Sequence, residues 1–195
     1  MHGRATPLLL TRDESLDAGA VTGSYAGAVG KAQFIPTSYR AYAVDFDGDG
    51  RRDLWHSDAD VIGSVANYLK QHGWRPGEPV ALPATPTSEA RAAIAADAVP
   101  VARKTPVQPT RPAGDLAALG IAAAEPIDLA APAVLLHLDG PEDEYWLGLD
   151  NFFVITRYNR SNLYAMAVHQ LGREIKALYL ARESRQAAAN QGSAQ

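Results

Sequence analysis

The chain has 195 residues, enough for one sizeable domain carrying a small insert. Hydrophobic residues at 47% and charged residues at 21% are ordinary for a globular protein, and a net charge of −4 without any Lys/Arg cluster excludes the electrostatics of a nucleic-acid binder. With no cysteine there are no disulfides, thiolate metal sites, thiol nucleophiles or thiol-linked lipids, and no apolar run reaches membrane-spanning length.

At the start, Leu8, Leu9 and Leu10 are the only apolar centre before charges intervene, so this stretch does not read as a signal peptide. Leu8 to about Asp17 reads as the tail of a helix, with Glu14 an exposed helix carboxylate. From Gly23 to Gly30 the glycines suit tight turns and close backbone approach. Pro36 at a first helical position, followed by Thr37-Ser38-Tyr39, starts a helix.

An acidic loop follows. Asp45, Asp47 and Asp49 stand at positions 1, 3 and 5 of a calcium-loop pattern, with Gly50 at position 6 and the Arg51 carbonyl at position 7. Alternate residues of such a loop turn oxygens inward, and carboxylates brought that close repel one another without a cation. Asp53 falls at position 9. Position 12, usually a bidentate Glu, is His56, a poor ligand for a hard cation. Asp58 and Asp60 are the alternatives for closing the loop, and Asp60 is chosen because a helix start would hold it rigidly. Asp60 has a competing role, since Ser57 and Asp60 also read as a capping box. The expected site is therefore one Ca2+ held by Asp45, Asp47, Asp49, Arg51 and Asp60. Val61, Ile62, Val65, Ala66 and Leu69 then recur at helical spacing up to Gly73, a natural stop.

Beyond Trp74 the composition turns to Ala, Pro and Thr. Short helices are expected over Ser88–Ala96 and Asp115–Leu119, with a basic, Pro-rich loop from Val99 to Pro112 between them. Val134–Leu138, Tyr145–Leu149 and Phe152–Thr156 read as strands of a small antiparallel sheet, with Asp139-Gly140 and Asp150-Asn151 as turns. Glu142 and Glu144 read as a solvated loop tip. Ser161 caps a last helix whose apolar stripe is Leu163, Ala167, Leu171, Ile175 and Leu178. From Glu183 the chain reads as a frayed polar tail.

Four blocks carry a family resemblance: GSYAGAVGKAQFIPTSY, AVDFDGDGRRDLW, ADVIGSVANYLKQHGW and ITRYNRSNLYAMAV. They resemble the membrane-bound lytic murein transglycosylase B family, peptidoglycan-cleaving enzymes of Gram-negative bacteria. The resemblance implies an α+β fold: a mainly helical, lysozyme-like core piece with an EF-hand-like calcium loop and a small antiparallel β insert. On that reading residues 1–75 belong to the core domain, 76–155 form the β-rich insert, 156–182 return as its closing helix, and 183–195 form a disordered tail. Ser24, Gln33, Tyr68, Tyr158, Asn159 and Tyr164 are implied as groove residues. Amides and hydroxyls suit N-acetyl and sugar hydroxyl groups, and aromatic rings stack on sugar faces. Each has a plainer reading beside it: local turn bonding for Ser24 and Gln33, core packing for Tyr68 and Tyr164, a helix-junction turn for Tyr158 and Asn159.

The implied reaction cleaves the β-1,4 bond between N-acetylmuramic acid and N-acetylglucosamine, giving a 1,6-anhydro product through a single glutamic acid. That glutamate belongs to an upstream G-[VI]-E-T motif, which this sequence does not contain. The expectation is an N-terminally truncated chain without its general acid, with export signals lying upstream if the protein reaches the periplasm or outer membrane. Implied partners are peptidoglycan glycan strands, with a monomer as the expected state. The alternative is a non-catalytic, calcium-stabilised module binding glycan or protein; a dockerin-like version would need two acidic loops, and there is one.

Overall fold

The computed structural model describes residues 23–25, 27–140 and 142–192, with side chains up to residue 187. The expectations for Leu8–Asp17, and for Glu14 within it, lie outside the described residues. The chain divides into two compact units, Met1–Trp74 and Arg75–Gln195.

In the first unit, α1 (Pro36–Tyr42) begins with the proline at N1, whose missing N–H costs nothing there. Helix α2 (Asp58–Gln71) begins at Ser57, whose hydroxyl accepts the Asp60 N–H at 3.2 Å. It ends in a Schellman motif: Gly73 (φ +95°) donates to Lys70 O, and Trp74 N–H reaches back to Leu69 O at 3.0 Å. The apolar stripe read from the sequence is not its buried face. Asp60, Gly63, Ser64 and Tyr68 are buried, whereas Ile62 is 67% exposed. Gly63 explains the offset. The Phe46 ring lies where its Cβ would be, at 2.6 Å, so the acidic loop packs against the small-residue side of the helix.

The second unit is built on a five-stranded antiparallel sheet of order β2-β4-β5-β1-β3. Its strands are β1 (Ala81–Pro86), β2 (Arg111–Pro112), β3 (Ile121–Ala123), β4 (Pro132–Leu138) and β5 (Glu144–Gly148). Leu135 pairs with Leu147 and Leu147 with Leu82, so all three point to one face. There they meet Ile94 of α3 (Ser88–Ala95) and Leu116 of α4 (Ala113–Ala118). On the other face Trp146 meets the His169 ring edge-on at 5.9 Å.

Strands β1 and β3 lie in the Ala/Pro-rich stretch that carried no strand signal, because ALPATP lacks the β-branched run that normally marks a strand. Phe152–Thr156 is not a strand. It belongs to helix α5 (Asp150–Tyr158), and the supposed Asp150-Asn151 turn is its first turn. Phe152, Ile155 and Thr156 are buried at i, i+3 and i+4. Helix α6 runs from Asn162 to Gly192, past Glu183, so no frayed tail begins there. Ala, Arg, Glu and Gln dominate that extension and are strong helix formers. Its predicted stripe is not buried: Leu163, Leu171, Ile175 and Leu178 are 55–66% exposed, whereas Asn162, Ala165 and Met166 are buried.

Candidate functional site

In the first unit the Gly-rich turn and the acidic loop meet through the backbone. Gly30 (φ +64°) lies so close to Leu54 that a Cβ would come within 2.6 Å of its carbonyl, and Lys31 N–H donates to that oxygen at 2.8 Å. Val29 bridges to Gly23 on one side and to Phe34 on the other. This brings the Ser24 and Gln33 turns side by side. Ser24 Oγ accepts Ala28 N–H at 3.1 Å. Gln33 is exposed, holds a left-handed backbone (φ +52°) and donates its side-chain amide to Gly30 O at 3.0 Å. A non-glycine residue in that region is a strained position of the kind found at binding sites. Tyr68 is buried in an aromatic cluster with Phe34 (5.7 Å), Tyr42 (4.9 Å) and His72 (4.0 Å, stacked). It packs directly behind the Gln33–Phe34 turn.

In the acidic loop, one carboxylate oxygen each from Asp45, Asp47 and Asp49 lies within 4.8 Å of the others. Backbone N–H groups aim them: Gly48 and Gly50 donate to Asp45, and Arg51 to Asp49. Asp60 lies outside this cluster. It is fully buried, and its Oδ1 accepts Phe46 N–H at 2.7 Å while Oδ2 accepts Asp53 N–H at 2.8 Å. It closes the loop by fastening both ends to α2, so the reciprocal bond of a capping box is not made. Asp58 is instead engaged by Lys31 at 2.6 Å. His56 and Asp53 occupy each other at 2.9 Å. Burial tends to raise the Asp53 pKa, but N–H groups of Trp55 and His56 and the His56 ring outweigh it, and the net shift is downward.

In the second unit, Tyr158 ends α5 and Asn159 is its C-cap, in extended conformation. Asn159 O accepts Ser161 N–H at 2.7 Å, and Ser161 Oγ accepts Tyr164 N–H at 3.3 Å, starting α6. Tyr158, Asn159 and Tyr164 therefore share one helix–turn–helix junction. Asn159 is exposed and the two tyrosines half-buried, with burial raising the Tyr164 phenol pKa.

Two buried asparagines had no sequence signal. Asn151 accepts Arg75 N–H and donates to the carbonyls of Arg75 and Glu78. Asn162 donates its side-chain amide to Arg103 O and Thr105 O and its backbone N–H to Lys104 O. A hollow of about 250 Å³ lined by Arg75, Glu78, Asp128 and Asp150 contains none of the predicted groove residues. Every glutamate among the described residues is exposed, Glu142 and Glu144 included.

Mixed helices and an antiparallel sheet match the lysozyme-like fold of lytic transglycosylases. Residues 5–173 match the Transglycosylase SLT domain family, and the chain belongs to it. It is 46% identical over 171 residues to membrane-bound lytic murein transglycosylase B of Escherichia coli strain K12, covering 87% of this chain and 44% of that protein. Among solved structures it is similar to catenated lytic transglycosylase SltB1 from Pseudomonas aeruginosa, with TM-score 0.76, 47% identity, and 89% and 55% of the two chains covered. It is also similar to Escherichia coli lytic transglycosylase Slt35 in complex with calcium, with TM-score 0.75, 46% identity, and 91% and 52% covered. The chain thus spans about half the length of these relatives. Among the described residues, no helix is long and apolar enough to cross a membrane.

Proposed function

We propose that this chain supplies glycan-binding groove wall and a calcium-stiffened loop to a peptidoglycan lytic transglycosylase. The observation that carries the reading is the match of residues 5–173 to the transglycosylase domain. Local geometry supports it: Gln33 is exposed on a strained turn, and Asn159 is exposed at a helix junction flanked by Tyr158 and Tyr164. Amide groups held this way donate and accept hydrogen bonds with N-acetyl groups, and tyrosine rings stack on pyranose faces. Ser24 Oγ closes the neighbouring turn by accepting Ala28 N–H, and Tyr68 packs against Phe34 behind the Gln33 turn. The reaction served is cleavage between N-acetylmuramic acid and N-acetylglucosamine, in which the muramic 6-hydroxyl attacks the anomeric carbon.

A general acid for that step needs an apolar, desolvated setting. No glutamate among the described residues has one. This favours glycan binding over catalysis by this chain alone, at the periplasmic or outer-membrane location that the family implies.

The acidic loop fits Ca2+. Its donors are hard oxygens, three carboxylates converge, and the nearby Lys31 cation is taken by Asp58. Asp45, Asp47 and Asp49 with the Arg51 carbonyl would hold the ion, and Asp60 would brace the loop around it. The metal supplies charge neutralisation and stiffness, with no part in bond cleavage.

The test is equilibrium binding of N-acetylglucosaminyl–N-acetylmuramic acid oligosaccharides to the chain and to its Gln33→Ala and Asn159→Ala variants. Binding weakened about tenfold by either change, with folding intact, is expected. Undiminished binding in both variants refutes the groove assignment.

A further inference from the structure

Gly30 O accepts both the backbone N–H of Gln33, at 3.2 Å, and its side-chain amide, at 3.0 Å, so the amide goes where Gly30 goes. Gly30 in turn is pressed against Leu54, whose carbonyl oxygen lies 2.6 Å from where a Cβ would stand. The next residue gives that contact a direction. Lys31 donates its N–H to Leu54 O at 2.8 Å and its ammonium to Asp58 Oδ1 at 2.6 Å. The turn that carries Gln33 is thus mounted on two points outside itself, Leu54 and Asp58.

Both points lie on the limb through which the chain leaves the acidic loop for α2. Leu54 is fully buried and follows Arg51 by three residues. Between them, Arg52 O accepts the Tyr39 hydroxyl and Asp53 N–H is held by Asp60 at 2.8 Å. A limb fastened at successive residues and packed against a buried side chain passes a displacement on instead of absorbing it. At the far end of the limb, three carboxylates stand within 4.8 Å of one another, and like charges that close repel unless a cation lies between them. The placing of Leu54, and with it of the Gln33 amide, therefore depends on how the charge of the loop is met.

We propose that Lys31 is a positioning residue for Gln33 that couples the glycan site to the acidic loop, so that calcium in the loop raises affinity for glycan. This rests on the readings that Gln33 contacts the sugar and that the loop takes calcium. Ordering a binding residue beforehand removes that cost from the binding step. The coupling is reciprocal: glycan raises calcium affinity by the same factor. Couplings of this kind run upward from about fivefold, and about tenfold is expected here. The Lys31–Asp58 pair is 49% and 79% exposed, so it contributes at most about fivefold of that, and the backbone contact at Leu54 carries the remainder.

The experiment is a binding cycle on the full 195-residue chain with calcium and an N-acetylglucosaminyl–N-acetylmuramic acid oligosaccharide. It is run well below the melting temperature of both the calcium-loaded and the chelated protein, so that a change in folded fraction does not enter. Oligosaccharide affinity should rise about tenfold from chelator to saturating calcium, and calcium affinity by the same factor with oligosaccharide present. Amide hydrogen exchange at Lys31 and Gln33 should slow when calcium is added, without any sugar. Lys31→Met should leave calcium affinity in the absence of sugar within about twofold and cut the coupling to about threefold, while Lys31→Arg keeps it. Oligosaccharide affinity indifferent to calcium although both ligands bind, a coupling unchanged in Lys31→Met, or unaltered exchange at the two amides overturns the inference alone. Failure to bind the oligosaccharide in either condition overturns the glycan reading, and failure to bind calcium overturns the metal reading, each taking this inference with it.

Discussion

Asp60→Asn separates a loop held by one buried carboxylate from a loop that is merely acidic. The substitution keeps the shape and replaces one acceptor oxygen with an NH2 donor. In either amide orientation one bond is lost, to Phe46 N–H (2.7 Å) or to Asp53 N–H (2.8 Å), and two donors then face each other. The remaining bond becomes neutral. A hydrogen bond to a charged group contributes about 1.5–3 kcal/mol and weakening the second about 1 kcal/mol more, so a loss of about 3 kcal/mol is expected, over a hundredfold in the folding equilibrium. With a urea m-value of about 2 kcal/mol/M, the midpoint should fall by about 1.5 M. The comparison is Asp58→Asn, which removes an ion pair to Lys31 whose carboxylate is 79% exposed and should cost under about 1 kcal/mol. Both are measured with chelator present, so that calcium affinity does not enter. If Asp60→Asn cost no more than Asp58→Asn, Asp60 would not be the fastening point of the loop.

Four further outcomes are expected. Calcium at a hundred times its Kd should stabilise the fold by about 2.7 kcal/mol, raising Tm by about 5–10 °C, with the gain lost in Asp47→Asn; a Tm indifferent to calcium and to chelator refutes the metal site. Burial holds the His169 pKa below its ordinary 6.5, reinforced by Arg173 and partly offset by Glu125. A depressed histidine leaves stability intact above the unfolded pKa and removes it as pH falls through the folded one, so denaturation midpoints should decline below about pH 6.5. His169→Gln should flatten that limb. Asp53, also depressed but from 3.8, should give a separate decline below about pH 4 that Asp53→Asn removes. Lastly, this chain incubated with peptidoglycan should release no 1,6-anhydro muropeptides, since general acid catalysis contributes about 10²–10⁴-fold. Robust product would show that a glutamate assigned here no catalytic part is the acid.

What the sequence disclosed and what it hid differ in kind. Pro36, Ser57 and Gly73 act within one turn of themselves, so their roles were readable and are observed. The Asp45–Gly50 spacing is equally local. Phe152–Thr156 was misread because aromatic and β-branched residues suit either a strand or a buried helix, and only the packing partner decides. The exposed stripes of α2 and α6 were misjudged for the converse reason: periodicity says which residues share a face, not whether anything covers it. Least legible were the fasteners. Asp60 grips the loop 7 and 14 residues upstream. Asn151 grips the chain 73 and 76 residues upstream, and Asn162 does so at 57 and 59. Each asparagine is a single buried polar residue satisfied by backbone far away in sequence, with no motif to announce it, whereas Asp60 was marked by its place at a helix start. The residues proposed to bind glycan, Gln33 and Asn159, stand on loops, where backbone is otherwise free to move. A groove built on loops therefore depends on such fasteners for its precision, and the positions least readable in the sequence are the ones that hold the readable ones in place.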